Sequence, residues 1–295
     1  MNSSFLFILF SLLGSIYITN TETSDFWIDY AKIASVAYSP ENNILNWNCS
    51  NCITGFYDIH FYSIDNIEFF TAISPDNIFW ISLRGSDSIE DWLNNIQIEL
   101  IDLNWINEAN SKNIKIHKGF WERWNSLYPF FRDYIIYSQS LTNYKNQMKY
   151  NSSNPKIIVP KIIITGHSLG GAIGTILALN MTLHDKDCDI LITSFGAPRI
   201  GNNEFIELLK NQQNIKILRF INKKDLVPHI PPLFLSYRHS PQEIWWTGKE
   251  MKNCSIIDGE DNECSDKFPA GTSIEDHAYF MDFKFNEANL QQRAG

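Results

Sequence analysis

The run Ile162-Ile163-Ile164-Thr165-Gly166-His167-Ser168-Leu169-Gly170-Gly171 constrains this chain more than any other stretch. Four β-branched residues lead into a G-x-S-x-G pattern, and helically spaced apolar residues follow it. The pattern predicts strand, sharp turn and helix, with a serine at the turn. Such a turn lifts Oγ clear of the sheet, and glycines on either side let the backbones pass closely. The N–H of Leu169 then falls at a helix N-terminus, where it can stabilise an oxyanion. A glycine-rich turn that merely packs a helix on a sheet would look the same. A serine nucleophile needs an acid and a histidine as well, in the order Ser, acid, His.

The rest of the chain alternates strand and helix patterns. Phe26 to Tyr38 has helical apolar spacing, and Phe56 to Thr71 alternates loosely as strands. Asn77 to Leu83 reads as a strand entering Arg84-Gly85-Ser86, and Ile89 to Leu93 as a short amphipathic helix. Ile114 to Ile116 leads into a helix rich in Trp, Tyr and Phe that runs to about Leu141, and a polar loop covers Lys145 to Pro155. Strands follow at Ile157–Ile164, Ile190–Phe195 and Ile215–Ile221, with a helix over Leu169–His184. This order predicts a mostly parallel sheet covered by helices on both faces. No repeat, low-complexity tract or linker divides the chain, so residues 21–295 read as a single domain.

Sites in such sheets gather beyond the carboxyl ends of the strands. The strand Ile215–Ile221 ends there in Asn222-Lys223-Lys224-Asp225, which places Asp225 downstream of Ser168 at the right edge. Asp225 can orient an imidazole, or simply cap a turn before a proline-rich loop. Of the seven histidines, His117 and His167 precede Asp225. His60, His184 and His239 lack a partner motif, and His229 follows Asp225 too closely to cross to Ser168. His277 comes after a long excursion and satisfies the order. Its neighbour Asp276 is a poor acid for it, since adjacent side chains rarely face each other.

The net charge of -9, without a basic stripe, argues against nucleic acid and against electrostatic attraction to anionic membranes. Phe5 to Leu13 is almost wholly apolar and too short to span a bilayer, so residues 1–20 read as a secretory leader. No later run is long enough to cross one, and the mature chain reads as a secreted monomer. Export permits disulfides, and Cys49 with Cys52 and Cys254 with Cys264 are the expected pairs, leaving Cys188 as a buried thiol. A zinc site is the weaker reading of Cys49–Cys52, lacking a second close ligand pair, and a redox centre lacks its thioredoxin-like context. Asn48, Asn151, Asn180 and Asn253 head N-x-S/T triplets. Asn180 falls on the apolar side of its helix, which speaks against modification there.

Six patches in one order resemble the class 3 lipases of the secreted fungal triacylglycerol lipase type. They are Arg84 to Trp92, His117-Lys118-Gly119-Phe120, Thr165 to Gly171, Phe195 to Gly201, Asp225 to Pro232, and Asp276-His277 with Tyr279-Phe280. The resemblance implies an α/β-hydrolase fold with Ser168 as nucleophile, Asp225 as acid and His277 as base. It implies that Ser86 and Leu169 form the oxyanion hole, and that Ile89, Trp92 and Leu93, at i, i+3 and i+4, are the apolar face of a lid. It implies hydrolysis of acylglycerol esters at a lipid–water interface, with no metal or organic cofactor. A phospholipase A1, a feruloyl-type esterase and a non-catalytic lipid-binding protein are the rival readings. The chain lacks the further disulfide that joins the N- and C-terminal regions of some fungal members.

Overall fold

The computed structural model describes residues 24–103, 113–132, 161–185, 188–268 and 272–285. The leader, Asn151 and the loop expected at 145–155 lie outside the described residues. Helix α1 spans Ser24–Val36 and α2 Glu41–Leu45. Strands β1 (Tyr57–Ile64), β2 (Ile67–Ile73) and β3 (Phe79–Leu83) follow, then helix α3 (Ile89–Asn95). A small pair, β4 (Leu100–Asp102) and β5 (Lys115–His117), precedes helix α4, described over residues 118–132. The centre is β6 (Lys161–His167), helix α5 (Leu169–His184) and β7 (Asp189–Phe195). Helix α6 (Asn203–Lys210), β8 (Ile215–Asn222), β9 (Glu243–Trp246) and β10 (Met251–Asn253) complete the main sheet, and a hairpin of β11 (Tyr279–Phe280) and β12 (Phe283–Lys284) closes the described chain.

The eight-stranded sheet runs β1-β2-β3-β6-β7-β8-β9-β10. Its middle pairs, from β3 to β9, are parallel, and both edges are antiparallel. The expected mostly parallel sheet with two covered faces is therefore present. The run of isoleucines in β6 exists because both faces are buried. Ile162 and Ile164 point to the face covered by α4 and α5, and Ile163 points to the face covered by α1. In β7, Ile190 and Ile192 join the first face and Leu191 the second. Helix α5 is buried at every position from Leu169 to Thr182, so it is a core helix rather than an amphipathic one. Asn180 is 0% exposed within it, in line with the doubt about its modification.

The sequence patterns do not announce α2, β4, α6, β9, β10, β11 or β12. Helices α2 and α6 are short, yet α6 carried a readable signal. Asn202 caps it by accepting the Phe205 N–H at 3.1 Å, ahead of buried Phe205, Ile206 and Leu209. Strands β9 and β10 carried none: β9 holds a buried Glu243, explained by its ion pair with Arg219 of β8 and by the Ser265 N–H, which donates to it at 3.0 Å. Cys49–Cys52 and Cys254–Cys264 are disulfides, which ties up the thiolates that a zinc site would use. Cys188 is buried outside both, with Sγ 3.2 Å from the Asp185 carbonyl. Among the described residues no helix is long and apolar enough to cross a membrane.

Candidate active site

Ser168 occupies the junction of β6 and α5 with φ 57° and ψ -127°, a left-handed conformation that a serine adopts at a cost. The junction is held by the Ser168 N–H, which donates to the Phe195 carbonyl at 2.8 Å. The helix start also passes close to β3: a β-carbon at Gly170 would lie 2.1 Å from the Leu83 carbonyl oxygen. Only glycine permits that approach, which is the physical content of the second glycine in G-x-S-x-G.

Asp225 and His277 meet 52 residues apart in sequence. His277 Nδ1 lies 2.9 and 3.0 Å from the two carboxylate oxygens of Asp225, and both side chains are almost wholly buried. Asp225 Oδ1 also accepts the Val227 N–H at 2.9 Å, so the turn-capping and imidazole-orienting readings hold for the same carboxylate. Asp276 turns away and accepts the Lys224 N–H at 3.2 Å. Gly196 has φ +60°, and a β-carbon there would sit 2.7 Å from Asp225 Oδ2 and 2.8 Å from His277 Nδ1. Gly196 follows Phe195, whose carbonyl holds Ser168. The acid–histidine pair thus packs beside the serine turn.

Ser168 Oγ and His277 Nε2 are both buried and neither makes a hydrogen bond among the described residues. Catalytic hydrogen bonds are often unformed before substrate binds, so the missing bond does not exclude a nucleophile–base pair. The other histidines are otherwise engaged. His60 is exposed beside Asp58, His229 faces Asp266, and His239 Nε2 donates to the Pro228 carbonyl. Burial pushes His117 down to about 4 and His239 well below the ordinary imidazole range. Burial, reinforced by the neighbouring His277, does the same to His167.

A cavity of about 780 Å³ opens next to the serine turn, lined by Gly85, Ser86, Leu169, Ile173, His117, Phe120 and Trp92. It reaches both expected oxyanion residues but not Ser168 or His277. Helix α3 stands over it, capped by Ser88 Oγ accepting the Asp91 N–H. Ile89, Trp92 and Leu93 are half-buried, while Glu90, Asp91, Asn94 and Asn95 are exposed. The Trp92 ring stacks over Phe120 with centroids 6.4 Å apart. Arg84, at the base of the turn, is ion-paired with Glu68 and Asp87.

The sheet, the serine on its strained turn and the late histidine define an α/β-hydrolase fold. The family model described as Lipase (class 3) matches residues 80–235, more than half of the chain. The chain belongs to the class 3 lipase family. A lipase of Rhizomucor miehei is 26% identical over 211 residues, covering 70% of this chain and 52% of that protein. A rice protein named phospholipase A1-II 1 is 28% identical over 158 residues, covering 52% of this chain and 39% of that one. The solved structure of lipase II from Rhizopus niveus superposes with a TM-score of 0.76 at 22% identity, covering 91% of this chain and 98% of that one. The chain spans between half and two thirds of the length of the first curated relatives that it matches.

Proposed function

We propose that this chain is a secreted serine carboxylester hydrolase that cleaves acylglycerols through an acyl-enzyme. The observation that carries the reading is the buried Asp225–His277 pair, packed by Gly196 against the turn that presents Ser168. The family membership supports it. Asp225 holds the proton on His277 Nδ1, which leaves Nε2 as the base. His277 Nε2 takes the Ser168 hydroxyl proton as Oγ bonds to the ester carbonyl carbon. The carbonyl electron pair moves to oxygen, and that oxyanion is stabilised by the N–H groups of Ser86 and Leu169. Collapse breaks the ester C–O bond, and His277 returns the proton to the departing alcohol. Water then adds to the acyl-enzyme with His277 again as base, releasing the acid and restoring Ser168.

Helix α3 serves as the lid in this reading. Its Ile89, Trp92 and Leu93 face inward and its polar side faces water, so an apolar surface would favour turning it over. Ser168 Oγ, buried and without a hydrogen-bond partner among the described residues, fits a covered state. The two disulfides and the apolar leader sequence support export.

The cavity lining bears on substrate charge. Asp65, Glu68, Asp87, Asp91 and Glu122 set five carboxylates against the guanidinium groups of Arg84 and Arg123. A net negative lining disfavours an anionic headgroup, so neutral glycerides fit better than anionic phospholipids. The test is hydrolysis of triolein emulsion, phosphatidylcholine, phosphatidylglycerol and a soluble short-chain ester by one preparation. Triolein should be cleaved fastest and phosphatidylglycerol slowest. Activity confined to the soluble ester sinks the lipase reading, and a preference for phospholipid replaces it with the phospholipase A1 reading.

A further inference from the structure

His167, the residue before the serine, is 7% exposed and turns its ring toward the face of β6 that α1 covers, where Phe285 lies. Its ring lies stacked on Phe285 at 4.3 Å and next to the His277 ring at 4.5 Å. Nε2 is 2.8 Å from the main-chain oxygen of His277, and Nδ1 is 2.8 Å from the hydroxyl of Tyr38. The same hydroxyl accepts the Gly85 N–H at 3.1 Å. These contacts fix every proton. A carbonyl oxygen only accepts, so His167 Nε2 carries the hydrogen and Nδ1 is bare. Tyr38 must then donate to Nδ1, which leaves its oxygen lone pairs for Gly85. The chain reads Gly85 N–H to Tyr38 O–H to His167 Nδ1, and His167 Nε2–H to the His277 carbonyl.

We infer that Tyr38 and His167 are positioning residues, whose directed hydrogen-bond chain sets the Gly85–Ser86 turn and the His277 main chain relative to Ser168. The inference rests on the proposed roles of Ser168, His277 and Ser86. Its geometry is tight. A β-carbon on Gly85 would come within 3.1 Å of Ser168 Cβ, so the turn that carries Ser86 abuts the nucleophile. Tyr38 grips that turn twice, because the Arg84 guanidinium also lies over its ring at 5.7 Å. Tyr38 is itself anchored just past the end of α1, where its N–H donates to Ser35 and Ser82 Oγ of β3 donates to Ile33. Both ends of the chain therefore meet the site: one holds the oxyanion donor, the other the base. The chain works only with a neutral His167, since an imidazolium would turn Nδ1 into a second donor against the Tyr38 proton. Burial keeps both members in the required form, holding the imidazole unprotonated and raising the Tyr38 phenol.

A buried polar chain with a merely structural role would give the same contacts, so the test separates kcat from folding. Sites are titrated with an organophosphonate on Ser168, and kcat per titrated site and KM are read on a soluble short-chain ester. Tyr38→Phe and His167→Phe keep the ring shapes and remove the hydrogen bonds. Each should lower kcat per site about 10- to 100-fold, the scale of a misplacement of an ångström or less, with KM changed by about twofold or less. His167→Gln, which offers both an acceptor and a donor, should recover most of the loss. Phenylalanine variants that keep wild-type kcat per site overturn the inference, as does a glutamine variant no faster than the phenylalanine one. If Tyr38→Phe does not fold, the two His167 variants decide, and the converse holds. A wild-type enzyme that is not labelled, or a Ser168→Ala variant that still hydrolyses ester, overturns the reading of the site itself. Full kcat in Tyr38→Phe beside a labelled wild type overturns only the positioning role.

Discussion

Ser168 and Leu169 sit on one unbroken strand–turn–helix, whereas Asp225 and His277 hang on loops held by residues far away in sequence. The first region is built from its own local sequence. Isoleucines of β6 bury on both faces, and α5 continues without interruption into the core. The second region is built from buried charge. Arg199, just past Gly196, is 1% exposed and donates to Glu260 at 2.7 and 3.0 Å, to Asp266 at 3.3 Å and to the Pro231 carbonyl. Asp266 also faces His229, on the loop that begins at Asp225. Glu260 lies within the loop closed by the Cys254–Cys264 disulfide. One half of the site depends on hydrophobic burial, which is forgiving in detail; the other depends on buried ion pairs, which fail when one partner goes.

The largest expected effect removes chemistry without touching either support. Ser168→Ala should abolish hydrolysis, a loss of about 10⁴-fold or more, and Asp225→Asn should cost about 10⁴-fold by favouring the wrong imidazole tautomer. Both proteins should unfold in denaturant with a cooperative transition. A Ser168→Ala protein with measurable wild-type turnover breaks the assignment of the nucleophile.

Arg199→Leu removes the cation at the centre of the charged half. It leaves Glu260 and Asp266 buried with their main cation gone, which typically costs about 3–5 kcal/mol. Denaturant melts should show that loss. Hydrogen exchange should then accelerate in residues 225–232 and 254–266 before it does in β6 and α5. Equal acceleration in both regions would show that the two are one cooperative unit with a shared support.

This difference also decides what could be read from sequence. The turn at Ser168 was legible because a strand pattern, two glycines and a helix pattern are contiguous. Asp225 and His277 were legible only through chain order and family likeness, since no local pattern makes residues 52 apart meet. Of the loops that bring them together, the Cys254–Cys264 staple and the Asp225–Pro232 patch were legible, and the ion pairs that hold them were not. Nothing in Arg199, Glu260 or Asp266 as separate residues announces a buried cluster, and β9 is hidden in the sequence because its Glu243 reads as a surface residue until Arg219 is beside it. Spacing puts Tyr38 at the end of a helix; its hydroxyl contact with His167, 129 positions away, is a purely tertiary fact.

The pH dependence of stability follows from the same buried groups. The folded values of His117, His167 and His239 lie below the ordinary imidazole value of 6.5, in each case through burial first. The unfolded chain therefore binds more protons than the folded one below 6.5, and stability present at neutral pH is lost as the pH falls. Each histidine contributes roughly 1 kcal/mol of loss between pH 7 and 5.5, or about 3 kcal/mol for the three. Glu243 and Glu260 act the other way. Burial raises both above the usual carboxylate range, so they favour the fold below that range and lose that contribution as the pH rises through it. The net loss on acidification should be positive and smaller than the histidine sum. Urea melts at pH 7 and 5.5 measure it, and a protein more stable at 5.5 would mean that the carboxylates dominate.

The smallest effect concerns α3, which belongs to neither support. None of its residues is fully buried, and its main inward contact is the Trp92 ring over Phe120. Trp92→Ala should leave global stability within about 1 kcal/mol, because a half-exposed side chain gives up much less than a core one. Turnover of a soluble ester should stay within a few-fold of wild type or rise, since the cover is loosened while Ser168, Asp225 and His277 are untouched. Turnover of emulsified triolein should fall several-fold, because the apolar face that would meet the lipid is reduced. The ratio of the two rates is the quantity to measure. A drop in both by the same factor would place Trp92 in the support of the site itself, and α3 would then belong to the hydrophobic half of the site rather than form a cover over it.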